Sequence, residues 1–398
     1  MNNQIEKLYL KALKEERLII GLMSGTSMDG LDIALCKVKG SGGNTEIVVL
    51  EFKTGSYTND FRDKLKSIFS KRDADLELVC LMNEHIADVH ARLINEALAE
   101  WDIDPVDVDI IASHGQTIFH APKSLHGKSD YPNGTLQIGD GDHIAVKTGI
   151  ITLSDFRQKH LAAGGEGAPL AVYGDYLVFS KKGENRVMLN IGGIANFTYL
   201  PSDLNASDIF STDVGPGNTM MDQYMQQQYG KFYDEGAAVA LAGKCNDHLL
   251  TALLSNEFFD LTFPKTTGPE LFNLHYLAQA QKVSSTEEIA DQDVMATLCH
   301  FSAQAIAGAI QKCFGNDLSV QIYMSGGGMH NRLLVKLLKD KLPFAAFYTT
   351  QDLNINPDAK EAVLFAVLAN ESLCGTPINF GNRQGVPSVC MGKISFPE

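Results

Sequence analysis

The sequence predicts an α/β protein whose second half repeats the element order of its first. Three observations carry this. Leu18 to Met23 and Leu31 to Val38 are short apolar runs on either side of a turn of small polar residues, the pattern of a strand pair. Arg186 to Leu200 reads again as strand, Gly-Gly turn and strand. In each half a long helical pattern then leads into another strand, Val108 to Ala112 in the first and Val320 to Met324 in the second.

A chain of 398 residues can hold two domains or one large one. Asp and Glu outnumber Lys and Arg to give a formal charge of −15, so neither a broad nucleic-acid surface nor a patch for anionic membranes is expected. An anionic substrate must then be met locally, by backbone dipoles, a metal ion or a few cations. Cys36, Cys80, Cys245, Cys299, Cys313, Cys374 and Cys390 never form Cys-x-x-Cys, which suggests buried free thiols in a reducing compartment and neither zinc nor disulfides. Nothing approaches the ~20 apolar residues that span a bilayer. Met1 to Arg17 reads as a surface helix, and the expected location is the cytoplasm.

Taken in order, the opening strand pair is followed by a third apolar run, Thr45 to Thr54, that can join it. Leu78, Val79, Met82, Ile86, Val89, Leu93, Ile94 and Ala97 then trace one helical face. After the strand at Val108 to Ala112, Ser113-His-Gly-Gln-Thr117 reads as a loop. The segment 155–169 is too glycine-rich for a regular element and carries Arg157, Lys159 and His160, so it reads either as cleft lining or as a plain linker. In the second half, Asp208 to Asp213 is a third strand, and a helix starts near Asn218. Ile289 to Cys313 is a long helix, the strand Val320 to Met324 enters Ser325-Gly-Gly-Gly328, and helices follow at Arg332 to Leu342 and Ala359 to Cys374.

The turn Ser24 to Gly30 lets backbone N–H groups approach an anion, and Asp29 could ligate magnesium directly or through water. Taken alone, it reads equally as an ordinary hairpin. Asp213 ends a strand and precedes Val214-Gly-Pro-Gly-Asn218, where open α/β sheets bind ligands, so it could serve as a base or only cap the helix. Gly326, Gly327 and Gly328 could meet a nucleotide without side-chain obstruction. No Gly-x-x-x-x-Gly-Lys-Ser/Thr, Gly-x-Ser-x-Gly or His-Glu-x-x-His occurs, which leaves ATP-dependent phosphoryl transfer outside the P-loop class.

Seven blocks in order resemble the anhydro-N-acetylmuramic acid kinases. They are Gly21-Leu-Met-Ser-Gly-Thr-Ser-Met-Asp-Gly-Leu-Asp32, Ser113-His-Gly-Gln-Thr117, Asp155-Phe-Arg157, Ala162-Ala-Gly-Gly-Glu-Gly-Ala-Pro-Leu170, Leu189-Asn-Ile-Gly-Gly-Ile-Ala-Asn196, Asp213-Val-Gly-Pro-Gly-Asn218 and Ser325-Gly-Gly-Gly328. The resemblance implies two ribonuclease-H-like lobes of the actin-like ATPase superfamily, related by duplication and facing a cleft. The expected boundaries are 1–155 for the first lobe and 156–375 for the second, with 376–398 returning to the first. It also implies that ATP and Mg2+ are used to open 1,6-anhydro-N-acetylmuramic acid and phosphorylate its 6-oxygen, and that the chain works as a homodimer.

By the same likeness Asp213 is the base, and Arg157, Glu361, His114 and Gln116 lie at the sugar. Gly25, Thr26, Ser27, Met28, Asp29, Gly30, Leu31 and Asp32 hold the phosphates with Asp29 at the metal, while Gly192, Gly193, Gly326, Gly327 and Gly328 complete the nucleotide site. Two positions depart from the family pattern: Pro269 stands where a basic residue is usual, and Glu166 replaces a common Gln. A kinase of another amino sugar, or a chaperone-like ATPase module, is the alternative.

Overall fold

The computed structural model describes residues 2–398 except 26, 27, 169, 315–318, 354 and 382–384, and at 357 the backbone alone. The chain divides into two compact units, Met1–Ser180 with Asn205–Asp208 and Asn354–Glu398, and Lys181–Leu204 with Ile209–Leu353.

Unit 1 opens with helix α1 (Asn3–Ala12), capped by the Asn2 side chain, and strands β1 (Glu16–Ser24), β2 (Gly30–Lys39) and β3 (Glu46–Ser56). Helices α2 (Asn59–Ile68) and α3 (Leu76–Glu100) follow; in α3 the buried Met82, Ile86, His90, Leu93 and Ala97 recur at helical spacing. Next come β4 (Ile110–Ala121), α4 (Lys123–His126), β5 (Gly134–Ile138), α5 (Gly141–Thr148), β6 (Thr152–Ser154), α6 (Phe156–Ala162) and α7 (Ala171–Phe179).

Unit 2 holds β7 (Asn185–Ile191), β8 (Ile194–Leu200), β9 (Phe210–Pro216) and α8 (Thr219–Tyr229). The helices α9 (Ala238–Ala242), α10 (Asp247–Leu254), α11 (Leu274–Ser284) and α12 (Asp291–Phe314) lead to β10 (Val320–Ser325), α13 (Arg332–Lys341) and β11 (Ala345–Thr349). Helix α14 (Lys360–Cys374) and β12 (Lys393–Ser395) belong to unit 1.

The sheets explain the repeat. Unit 1 runs β12-β6-β4-β1-β2-β3 and unit 2 runs β11-β10-β7-β8-β9. In both, the first three strands are antiparallel neighbours and two later strands, β4 and β6 in unit 1 and β10 and β11 in unit 2, extend the sheet in parallel from the first, the ribonuclease-H-like order, with β5 antiparallel to β4 beside this path. Parallel strands need a crossover, which α3 and α12 supply.

The structure departs from five expectations. Unit 1 continues to Ser180 instead of ending at 155, because α7 is buried on nearly every side and packs on α14, which in turn packs on β1. That packing also brings α14, expected with the second lobe, into unit 1. The glycine-rich segment begins with a true helix, α6, since its glycines start only at Gly164 and Phe156 and His160 share a buried face. Ser113 to Thr117 is strand, not loop, because β5 pairs with the far half of β4 from Gln116 to Ala121. Of the cysteines, Cys36 and Cys299 are buried but Cys80 is exposed, and all are free.

Gly21 on β1 positions α14. A side chain there would meet the Ala362 carbonyl at 1.9 Å, so only glycine lets helix and strand approach this closely. The approach brings Glu361 near the end of β1.

Candidate active site

In unit 1 the β1–β2 turn is closed by Met28 N–H donating to the Gly25 carbonyl at 3.3 Å. Gln116 Nε2 donates to the same oxygen, also at 3.3 Å. Met28 sits in the left-handed region at φ 56°, which costs ~1–2 kcal/mol, and its side chain is buried in the unit core. Thr26 and Ser27 lie outside the described residues. Leu31 is fully buried, which leaves only its backbone for a ligand, and Gly30 pairs with Ser56 at the head of β2.

Asp29 is exposed and Asp32 half-buried. Thr54 Oγ1 donates to the Asp32 carboxylate at 2.6 Å. Burial nonetheless raises the Asp32 carboxyl above its usual range, and the charges of Asp29 and Asp358 add to the rise. Among the described residues no group of three or more His, Cys, Asp or Glu is arranged to hold a metal.

Arg157, just past β6, follows Asp155, a second left-handed residue at φ 56°. Its Nε–H donates to His114 Nε2 at 2.9 Å and Nη1 to the Gly167 carbonyl at 2.5 Å. Burial, with the Arg157 charge, pushes His114 down to about 3, so it is a neutral acceptor that aims the guanidinium. Arg157 and Glu361 line one cavity of about 280 Å³ with Met23, Leu170, Leu364 and Phe365. Beside it Lys360 pairs with the buried Asp175 at 2.8 Å. His160, expected to line the site, is fully buried and accepts from Gly167 N–H at 3.0 Å, a structural role. Gln116 lies behind the turn, its side chain bonded to the Gly25 carbonyl and to Ser24 Oγ.

In unit 2 the register of β8 on β9 shifts by one residue next to Asn196 and Asp213. Such a bulge re-aims a side chain. Thr267 N–H donates to Asp213 Oδ2 at 2.9 Å, and Asp213 N–H to the Lys265 carbonyl at 3.0 Å. Thr212 and Lys265 exchange two further bonds, of 3.2 and 3.0 Å. The half-buried Asp213 carboxyl is raised by burial, opposed by the Thr267 N–H and assisted by Glu270.

The carbonyls of Gly192 and Gly193 accept from Asn218, Gly217 and Thr219 N–H groups at 2.8–3.1 Å, which ties the glycine turn to the start of α8. Gly326 has φ +82°, and a side chain there would strike the Ile191 carbonyl at 2.7 Å. Gly326 and Gly327 are exposed, while Gly328 is buried against Ile191.

Sequence reasoning gave no role to three residues near these elements. Lys265 is buried, donates to the Phe258 carbonyl at 2.7 Å and lies 4.2 Å from that ring, anchoring the segment that holds Asp213. A lysine after the phenylalanine-rich stretch Phe258 to Pro264 was the available signal. Asn218 donates to the Ile191 carbonyl at 3.2 Å. Asp222, in the first turn of α8, is pushed up to about 6 by burial, and nothing in the sequence marks it.

A family model described as anhydro-N-acetylmuramic acid kinase matches residues 17–397. The anhydro-N-acetylmuramic acid kinase of Pseudoalteromonas atlantica is 54% identical over 406 positions and is covered, like this chain, to 100%. That of Caldanaerobacter subterraneus subsp. tengcongensis is 39% identical over 96% of this chain and 98% of its own. Among solved structures, the activator of the 2-hydroxyisocaproyl-CoA dehydratase from Clostridium difficile is similar at 11% identity and a TM-score of 0.38, covering 89% of this chain and 95% of that one.

Proposed function

The chain belongs to the anhydro-N-acetylmuramic acid kinase family, and from that premise we propose how its residues divide the work. The enzyme is an ATP-dependent sugar kinase of peptidoglycan recycling. It converts 1,6-anhydro-N-acetylmuramic acid, water and ATP to N-acetylmuramic acid 6-phosphate and ADP.

Asp213 is the base. It takes a proton from the water that attacks the anomeric carbon; the bond from that carbon to the 6-oxygen breaks, and the freed oxygen attacks the γ-phosphorus as the bond to ADP breaks. The observation that carries this is the Asp213 carboxylate, held by one backbone N–H at a strand bulge and raised toward the range of a working base. Arg157, aimed by His114, suits the lactyl carboxylate of the sugar, and Glu361 a sugar hydroxyl.

The turn Gly25 to Asp32 holds the ATP phosphates, with Gly192, Gly193 and Gly326 to Gly328 as the backbone lining for nucleotide. The crowding of Asp29, Asp32 and Asp358 is an excess of negative charge that a divalent cation would relieve, so these residues fit Mg2+ held mainly by phosphate and water. When bound, Mg2+ neutralises phosphate charge.

The unit of activity is a homodimer, by likeness to the family. The net charge of −15 supports a site for small molecules and not for nucleic acid. No helix among the described residues is long and apolar enough to cross a membrane. Use of ATP supports work in the cytoplasm.

The test offers pure enzyme, ATP and Mg2+ with either the anhydro sugar or reducing amino sugars. Turnover of the anhydro sugar is expected. Preference for a reducing sugar would replace the substrate named here.

A further inference from the structure

Behind the β1–β2 turn, four buried side chains of unit 1 run in a line from α3 to the turn. His90 Nε2 lies 2.8 Å from Tyr57 OH, which lies 2.8 Å from Ser24 Oγ. Ser24 Oγ is 2.5 Å from Gln116 Oε1, and Gln116 Nε2 is 3.3 Å from the Gly25 carbonyl. All four are buried, His90 completely.

The protons on this line can be assigned from its ends. Gln116 Nε2 faces two carbonyls, those of Gly25 and Thr117, each at 3.3 Å, so Oε1 faces Ser24 and can only accept. Ser24 therefore donates to Gln116, and its oxygen takes the proton of Tyr57. Having given its one proton away, Tyr57 accepts from His90, which puts the imidazole proton on Nε2. Nδ1 is left bare and has no hydrogen-bond partner among the described residues. Burial pushes the imidazole down to about 3, so it carries a single proton at neutral pH.

We propose that His90, Tyr57, Ser24 and Gln116 are positioning residues, a one-directional hydrogen-bond chain that turns the Gly25 carbonyl away from the phosphates of ATP and so sets nucleotide affinity. The inference rests on the reading of this turn as the phosphate holder. A carbonyl oxygen facing a polyphosphate would repel it; one bonded from behind by Gln116 and Met28 N–H does not. Bonds aligned in one direction also polarise one another, so the far end at His90 matters to the near end at Gly25.

His90→Gln and His90→Met test this, because they are nearly equal in size and only glutamine offers an N–H where Nε2 stood. His90→Gln is expected to keep KM for ATP within about twofold, and His90→Met to raise it roughly 3- to 10-fold, the size of one lost buried hydrogen bond. KM for the sugar should stay within about twofold in both, since the loss is one bond behind the phosphate turn. Equal KM for ATP in the two variants, or a parallel rise for the sugar, would overturn the proposal. If His90→Met does not fold, Tyr57→Phe breaks the same chain and keeps its ring against Phe61, 4.6 Å between centroids; an unchanged KM for ATP there overturns it as well. Asp29→Asn separates the two readings. If it raises KM for ATP while the chain variants do not, the phosphate turn stands and the chain falls; if neither moves KM, the turn itself is misassigned.

Discussion

At the residue scale the account turns on Asp213. Asp213→Asn keeps the Thr267 N–H contact to an oxygen but removes the proposed base, so turnover should fall by roughly 10²- to 10⁴-fold while ATP binding is retained. Steady-state kinetics with nucleotide titration checks both, and unchanged turnover would remove Asp213 from the reaction. Its raised carboxyl sets the pH profile. The base must be ionised, so kcat/KM should fall on the acid side through a group titrating above the ordinary aspartate value of 3.8. An acid limb at or below that value would contradict the burial argument. Buried histidines make a different prediction. His90 and His114 are held down to about 3 and His160 to about 4, each neutral in the fold. The unfolded chain protonates them near 6.5, so stability is full above that pH and is lost as pH falls toward 3–4. The loss is on the order of 1 kcal/mol for each by pH 5.5. Thermal melting at pH 7.5 and 5.5 should therefore differ clearly, and equal midpoints would refute the assignment.

At the element scale, the contact of β1 with α14 places Glu361 and predicts the cost of disturbing it. Gly21→Ala drives a methyl into the Ala362 backbone, and about 3 kcal/mol of destabilisation is expected, the upper end for overpacking. A chemical-denaturation midpoint equal to that of the parent would show that helix and strand can part freely. The same contact shows where sequence reading reaches its limit. Strands β1, β2, β7 and β8 and the helix α12 follow from local apolar runs and helical spacing, which depend on neighbours in sequence. The assignment of α14 to unit 1 depends on a glycine more than 300 residues away in the chain, and local pattern carries no trace of it. In the candidate site, the positions of the glycine turns and of Asp213 near a strand end were legible because small residues and a carboxylate after an apolar run are local signs. The Lys265 anchor and the line from His90 to Gly25 were not, since each is built by tertiary contact between segments that look ordinary alone.

For the whole molecule, two units with the same strand order carry different chemistry. Unit 1 presents the turn with Asp29 and Asp32 and the Arg157–Glu361 cavity, while unit 2 presents Asp213 and the glycine turns at Gly192–Gly193 and Gly326–Gly328. Duplication thus supplied one scaffold twice, and the divergence lies in what each copy displays at its strand ends. The central claim is that a single reaction both adds water to the anomeric carbon and phosphorylates the oxygen thereby freed. Turnover in water labelled with oxygen-18, quenched early and read by mass spectrometry, tests it most directly. The account predicts label on the anomeric hydroxyl of the sugar phosphate and none in the transferred phosphoryl group; label in released inorganic phosphate and none on the sugar would mean that water attacks ATP, and would contradict it.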